Sequence, residues 1–291
     1  MRERIELTFQ VARRTDATIR ITRTGAVTAY TVRPVTLGAS TAAPSAVPSP
    51  GRRLAAGSVH TYTAIGAVLA LLMVHLSYRG EVSAVLWLFL AAIFIDGTDG
   101  FLARRLRVKE VMPGFDGALL DNIIDFMTYA LAPMVLLWAS GALPGGVWGG
   151  FWAALPVLAS CYQFCQTDAK AVGEDHFFKG FPSYWNSVAF YAIAGSFSPT
   201  VTAVVIAVCT ALVFVPVKYV YTTRTRKLFT VTMALAALWM VAYAVVVAQL
   251  SDPPLWLLYA SLAYPVYYVV LSLWLTYLTS RRTHVAAPVA A

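Results

Sequence analysis

"IDGTDGFLARRLRVKEVMPGFDGALLDNIIDF", residues 95–126, decides how this chain folds. Two aspartate pairs, Asp96/Asp99 and Asp121/Asp125, stand at or beside the ends of long apolar runs. Spacings of three and four put each pair on one face if the runs are helical. Pro113 and Gly114 interrupt the chain between the pairs, so the two helices can return antiparallel with both acidic faces at one end. Four carboxylates then converge on a common point.

The surrounding chain reads as membrane. Of its 291 residues 59% are hydrophobic and only 12% charged, and the mean hydropathy is +0.67. Few soluble chains are so apolar. The apolar residues fall into eight runs long enough to cross a bilayer, roughly 60–77, 82–101, 118–138, 148–166, 184–198, 200–217, 228–250 and 255–278. The dyad alternation of an outer-membrane barrel is missing. The fold class expected is all-α: a polytopic membrane helix bundle of about eight transmembrane helices.

Charge placement orients it. The net charge is +8, and of the 22 Lys and Arg residues only Arg79 lies in an alternate connection. The rest sit before the first run, after the even-numbered runs, or in the N-terminal stretch. Both termini are therefore expected in the cytoplasm. Loops facing anionic lipid account for the basic balance without nucleic acid. Cys161, Cys165 and Cys209 fall within runs and read as small buried hydrophobes.

Residues 1–56 differ in kind, with nine Arg against three acids, short β-like alternation and then the linker "TLGASTAAPSAVPSPGRR". They are expected to form a basic, disordered cytoplasmic extension, leaving 57–291 as the membrane domain. Asp116 is read as the N-cap of the third run. Asp168, Glu174 and Asp175 are read as solvated loop charge.

Clustered acids in such a setting need an explanation. One carboxylate near a helix centre costs roughly 2.5–3.5 kcal/mol, less near the interface, and like charges resist ionising together. Protonation is one escape, pairing with Arg104, Arg105 or Arg107 a second, and divalent cations a third. Oxygen ligands suit Mg²⁺, Mn²⁺ or Ca²⁺ rather than zinc. Gly97, Gly100 and Gly117 leave the acidic faces without bulk, and Arg104, one turn beyond Gly100, can fork onto phosphate. Metals, an Arg and an open groove suit phosphoryl transfer. A cation-coupled transporter would place acids at mid-depth and show internal repeats. Here they crowd one end and no clear repeat is seen.

The stretch resembles the signature of the CDP-alcohol phosphatidyltransferases, D-x-x-D-G-x-x-A-R, a spacer, then G-x-x-x-D-x-x-x-D. Asp96, Asp99, Gly100, Ala103, Arg104, Gly117, Asp121 and Asp125 fill every fixed position. The spacer is twelve residues, 105–116, where most of the family has about eight. That length is similar to the bacterial phosphatidylcholine synthase branch, as are "VHTYTAIGAVLALL", "FFKGFPSYWNSVAFY" and "FVPVKYVY". The resemblance covers residue 57 to the C-terminus.

It implies that Asp96, Asp99, Asp121 and Asp125 hold two divalent metals, Mn²⁺ or Mg²⁺. It implies that Asp99, Gly100, Ala103, Arg104 and Gly117 line the pocket for CDP-diacylglycerol, with His60 and Thr63 nearby. Asp125 would double as general base toward the acceptor hydroxyl. The products would be phosphatidylcholine and CMP, made by a homodimer at the cytoplasmic side of a bacterial inner membrane. Choline's quaternary ammonium calls for aromatic faces, and Tyr184, Trp185 and Tyr129 are the expected contacts. Lys179 and Lys218 would reach lipid phosphate or anchor the loops. Serine, inositol phosphate and glycerol phosphate are the alternative acceptors; the anionic ones would need basic side chains near Asp125.

Overall fold

The structure, a computed structural model, describes residues 4–11, 15–24, 27–34, 48–166, 177–220 and 228–285. Asp168, Glu174 and Asp175 lie outside the described residues, and so do the side chains of Lys179 and Lys218. The chain divides into two compact units, Met1–Pro48 and Ser49–Ala291.

In the first unit, β1 (Arg4–Val11), β2 (Thr15–Thr24) and β3 (Val27–Pro34) pair antiparallel in chain order. Ile21 stands opposite Ile5 on one side and Tyr30 on the other. The period-two alternation of this stretch is strand pairing, where the sequence reading had a disordered extension.

The second unit is helical. Helix α1 (Pro50–Tyr78) starts ahead of the boundary placed at 57. Ser49 caps it by accepting a hydrogen bond from the Arg52 N–H at 3.4 Å, and Pro50 fits the first turn, where no N–H is needed. A tight turn with Gly80 at φ 76° leads into α2 (Val82–Arg105). The short α3 (Val108–Val111) precedes α4 (Gly117–Asp125). As read from the sequence, Asp116 caps α4, accepting from the N–H groups of Ala118 and Leu119 at 3.0 Å each.

Helix α4 runs on through a π-helical turn, Phe126–Leu131, into α5 (Ala132–Ala139). Pro133 explains the widening. It lacks an N–H for the ladder, and its ring crowds the carbonyl of Tyr129 one turn back. Helix α6 (Val147–Cys165), strand β4 (Phe177–Lys179), α7 (Trp185–Ala194) and α8 (Pro199–Val213) follow. Strand β5 (Lys218–Val220) pairs antiparallel with β4, and α9 (Phe229–Ala248), α10 (Leu255–Ser261) and α11 (Ala263–Val285) complete the unit.

Among the described residues five segments are long and apolar enough to cross a membrane: Pro50–Tyr78, Val82–Arg105, Gly117–Ala139, Phe229–Ala248 and Leu255–Tyr277. The other three expected crossings correspond to shorter or less apolar helices. Helix α7 has 10 residues and α8 has 15, while α6 is diluted by Gly149, Gly150, Pro156 and Gln163. Cys161 and Cys165 are exposed rather than buried. Cys165, at the end of α6, lines the cavity described below.

Two contacts set how α1 crosses α4. A side-chain carbon at Gly66 would collide with Ile124, and one at Gly117 would lie 2.8 Å from the His60 ring. Bare backbone at both points lets the helices touch along their length. The main core lies further along α2, where Leu86 and Phe89 pack with Met134, Leu137, Trp185, Phe190 and Tyr243. Tyr243 donates to the Leu86 carbonyl at 3.0 Å and stacks on Phe190 at 3.9 Å. Leu86 lies ten residues before Asp96, about 15 Å along a helix. The packed core thus anchors one end of the bundle and leaves the acids at the other.

Candidate metal and substrate site

At that end, ligand oxygens of Asp96 and Asp99 from α2 and Asp121 from α4 all lie within 4.8 Å of one another. Helix α1 supports them. Thr63 donates to Asp99 Oδ2 at 2.7 Å, and both residues are buried. Tyr62 and Thr98 share a hydrogen bond at 2.8 Å one step away. From the π-helical turn, Tyr129 donates to Asp96 Oδ2 at 2.9 Å. Three hard oxygen donors in one small volume, two of them oriented by neighbouring hydroxyls, can hold a divalent metal ion.

The acids form one wall of a cavity of about 1160 Å³. Asp125, Gly100, Arg104 and Gly117 share that lining with His60 and the three clustered aspartates. The structure therefore clusters Asp96, Asp99 and Asp121, and lines the same cavity with Asp125, Gly97, Gly100, Gly117 and Arg104. The Arg104 side chain folds back over Gly100, where a side-chain carbon would come within 3.2 Å of Nη1. His60 rests on Phe115 with ring centroids 4.2 Å apart. Among the described residues its Nε2 finds no hydrogen-bond partner. Arg107 pairs instead with Glu110 at 3.9 Å on the exposed surface.

Ala103 departs from expectation. It packs with Leu102 and Met112 against the small cluster of Ala56, Val59, Val108 and Val111, and does not line the cavity. Its lack of bulk serves the contact of α2 with α1 and α3.

The cavity continues from the acids along an arc of aromatic rings. Tyr129 lies 6.1 Å from Tyr184, Tyr184 lies 5.9 Å from Tyr268, and Tyr268 stacks on Tyr219 at 6.1 Å. Phe181 meets Tyr219 edge-on at 6.3 Å. All five line the cavity. Burial, and then the Cys209 thiol nearby, push the Tyr219 phenol above its ordinary value, so it stays neutral.

Tyr184 belongs to an extended segment that α6 holds in place. Gln163 donates through Nε2 to the Phe181 carbonyl at 2.7 Å and accepts from the Ser183 hydroxyl at 2.6 Å. The Ser183 and Ser160 hydroxyls lie 2.8 Å apart, and Trp185 Nε1 donates to Ser160 at 2.8 Å. Trp185 is thereby turned from the cavity. It is fully buried and does not line the space, a correction to its expected contact with the acceptor.

Tyr268, Thr63 as a support for Asp99, and Gln163 were not picked out for these roles in the sequence. Tyr268 sits in an ordinary apolar run, and only its apposition to Tyr184 reveals it.

The chain is similar to several known proteins of one kind. A phosphatidylcholine synthase of Legionella pneumophila is 44% identical over 171 residues, covering 58% of this chain and 66% of that protein. The chain therefore spans just under two thirds of that relative's length. A phosphatidylcholine synthase of Bradyrhizobium diazoefficiens is 36% identical over 225 residues, covering 76% of the chain and 83% of the relative. One from Borreliella burgdorferi is 31% identical over 226 residues, which is 95% of its length. The chain belongs to the phosphatidylcholine synthase family. No protein-family model matches it.

Proposed function

We propose that this chain transfers the phosphatidyl group of CDP-diacylglycerol to the hydroxyl of choline, releasing CMP. The observation that carries the reading is the cavity itself, in which the oxygen cluster of Asp96, Asp99 and Asp121 meets the tyrosine arc. Asp96, Asp99, Asp121 and Asp125 would hold two divalent cations, Mn²⁺ or Mg²⁺, which when bound withdraw charge from the pyrophosphate and the leaving CMP.

The chain's own groups do the rest. Asp125 takes the proton of the choline hydroxyl as its oxygen attacks the phosphorus that bears diacylglycerol. A new P–O bond forms there, and the bond to CMP breaks with its electron pair leaving on CMP. Arg104 offers a planar fork of donors to the phosphates. Gly100 leaves room for the nucleotide to approach α2, and His60, seated on Gly117, offers its Nε2, which finds no partner among the described residues. Thr63 and Tyr129 fix the orientation of Asp99 and Asp96.

The same proposal includes eight crossings with both termini in the cytoplasm, supported by the one-sided Lys and Arg distribution. It includes a site on the cytoplasmic side of a bacterial inner membrane, where cytidine nucleotide and choline arrive from water while acyl chains stay in lipid. Residues 1–56 stand apart from the chemistry, and the working unit is a homodimer, which light scattering of the detergent-solubilised protein tests.

Purified protein given CDP-diacylglycerol, labelled choline and Mn²⁺ is expected to yield labelled phospholipid and CMP in equal amounts. Absence of product at every metal concentration would overturn the reading. A panel of serine, inositol phosphate and glycerol phosphate in place of choline is expected to give little product.

A further inference from the structure

The tyrosine arc has a feature that a lipid-facing aromatic belt does not share. It starts at the acids and runs into the interior. Tyr129 touches Asp96 through its hydroxyl, its ring neighbours Tyr184, Tyr184 neighbours Tyr268, and all three line the cavity. Choline carries its hydroxyl and its ammonium only two carbons apart. With the hydroxyl at Asp125, the ammonium must therefore sit close to the carboxylates, where Tyr129 opens the arc.

Ring faces carry negative potential and attract a cation within about 6 Å of the centroid. Successive members of the arc stand 6.1 and 5.9 Å apart, so a single methylated nitrogen can touch more than one. Tyr129 donates to Asp96 and so holds its ring beside the acids. A quaternary ammonium has no N–H to satisfy, so ring faces alone can hold it. Gln163, by holding Phe181 and Ser183, fixes the segment that presents Tyr184.

We propose that Tyr129, Tyr184 and Tyr268 form the subsite for the quaternary ammonium of the acceptor, and that Tyr268, contributed by α11, sets the preference for a trimethylated cation. This inference rests on the choline reading above.

The test compares choline with its uncharged isostere, 3,3-dimethylbutan-1-ol, as acceptors for the same enzyme preparation. Their ratio of kcat/KM is independent of how much protein is active. Wild type is expected to favour choline by about 100-fold, from more than one ring contact each worth up to roughly tenfold. Tyr268→Leu should reduce that ratio by about tenfold, through a raised KM for choline, with KM for CDP-diacylglycerol unchanged. Tyr268→Phe, which keeps the ring, should stay within about threefold of wild type. An active wild type whose ratio survives Tyr268→Leu overturns the subsite alone, while a wild type inert toward choline overturns the choline reading with it. If Tyr268→Leu does not fold, tetramethylammonium decides the matter in wild type. It should inhibit competitively against choline and not against CDP-diacylglycerol; absence of that inhibition overturns the subsite.

Discussion

At the residue scale the site is a set of carboxylates whose orientation is fixed by hydroxyls. Asp99 is buried with a Thr63 hydrogen bond at 2.7 Å, a costly arrangement for an ionised acid unless a positive ion also faces it. Thr63→Val should therefore weaken Mn²⁺ binding by about 10–100-fold, the usual effect of removing a partner of a metal ligand. Electron paramagnetic resonance of bound Mn²⁺ measures this, and unchanged affinity would remove Asp99 from the ligand set. The roles of the acids also separate. Asp125→Asn should lower kcat by about 10²–10⁴-fold while cytidine nucleotide still binds in calorimetry. Asp96→Asn should lower metal affinity as well, and near-normal turnover by Asp125→Asn would end its assignment as base. The aspartates and the Asp116 cap were legible in the sequence because their spacing and their neighbours carry the information locally. Tyr184 and Trp185 show where that stops. Adjacent residues at a helix start differ by about 100° in direction, so which of the two enters the cavity depends on the Ser160–Gln163 hydrogen bonds from another helix.

At the element scale, two helices, α1 and α4, are held together by absent side chains. Gly66 and Gly117 admit Ile124 and His60 against the backbone, so α1 and α4 bring Thr63 and Asp121 to the same place. Gly66→Ala should cost roughly 1–3 kcal/mol through overpacking, read as a lower thermal midpoint in detergent. Adding Ile124→Ala should recover part of the loss. A single variant as stable as wild type would mean that the contact does not set the crossing. The π-helical turn before Pro133 matters for a related reason. It shifts the face that follows Asp125, and Tyr129 in that turn reaches Asp96 on α2. A proline can be seen in a sequence, but whether a helix answers it with a kink, a break or a widened turn depends on its neighbours.

At the scale of the molecule, hydropathy identified a membrane helix bundle, and the five long apolar segments are among those expected. Helices α7 and α8 were harder to read, because they are short and protein covers much of α7, leaving little demand for a full-length apolar run. The N-terminal sheet was visible only as alternation, since pairing partners are not encoded at fixed spacing. Orientation is a property of the whole chain and can be tested as such. In a variant lacking its three cysteines, a cysteine placed at Ala142 should react with a membrane-impermeant thiol reagent in intact cells, and one at Lys109 should not until the cells are opened. The reverse pattern would invert the topology and move the acids to the outer side.

The central claim is that carboxylates from two helices hold divalent ions for transfer to choline. The measurement that tests it most directly is choline-dependent CMP release by purified protein, first stripped with chelator and then titrated with Mn²⁺ or Mg²⁺. The account predicts no turnover in the stripped enzyme and full recovery on adding either ion, with none of that recovery in Asp121→Asn. Turnover that persists in chelator, or that Asp121→Asn leaves intact, would contradict it.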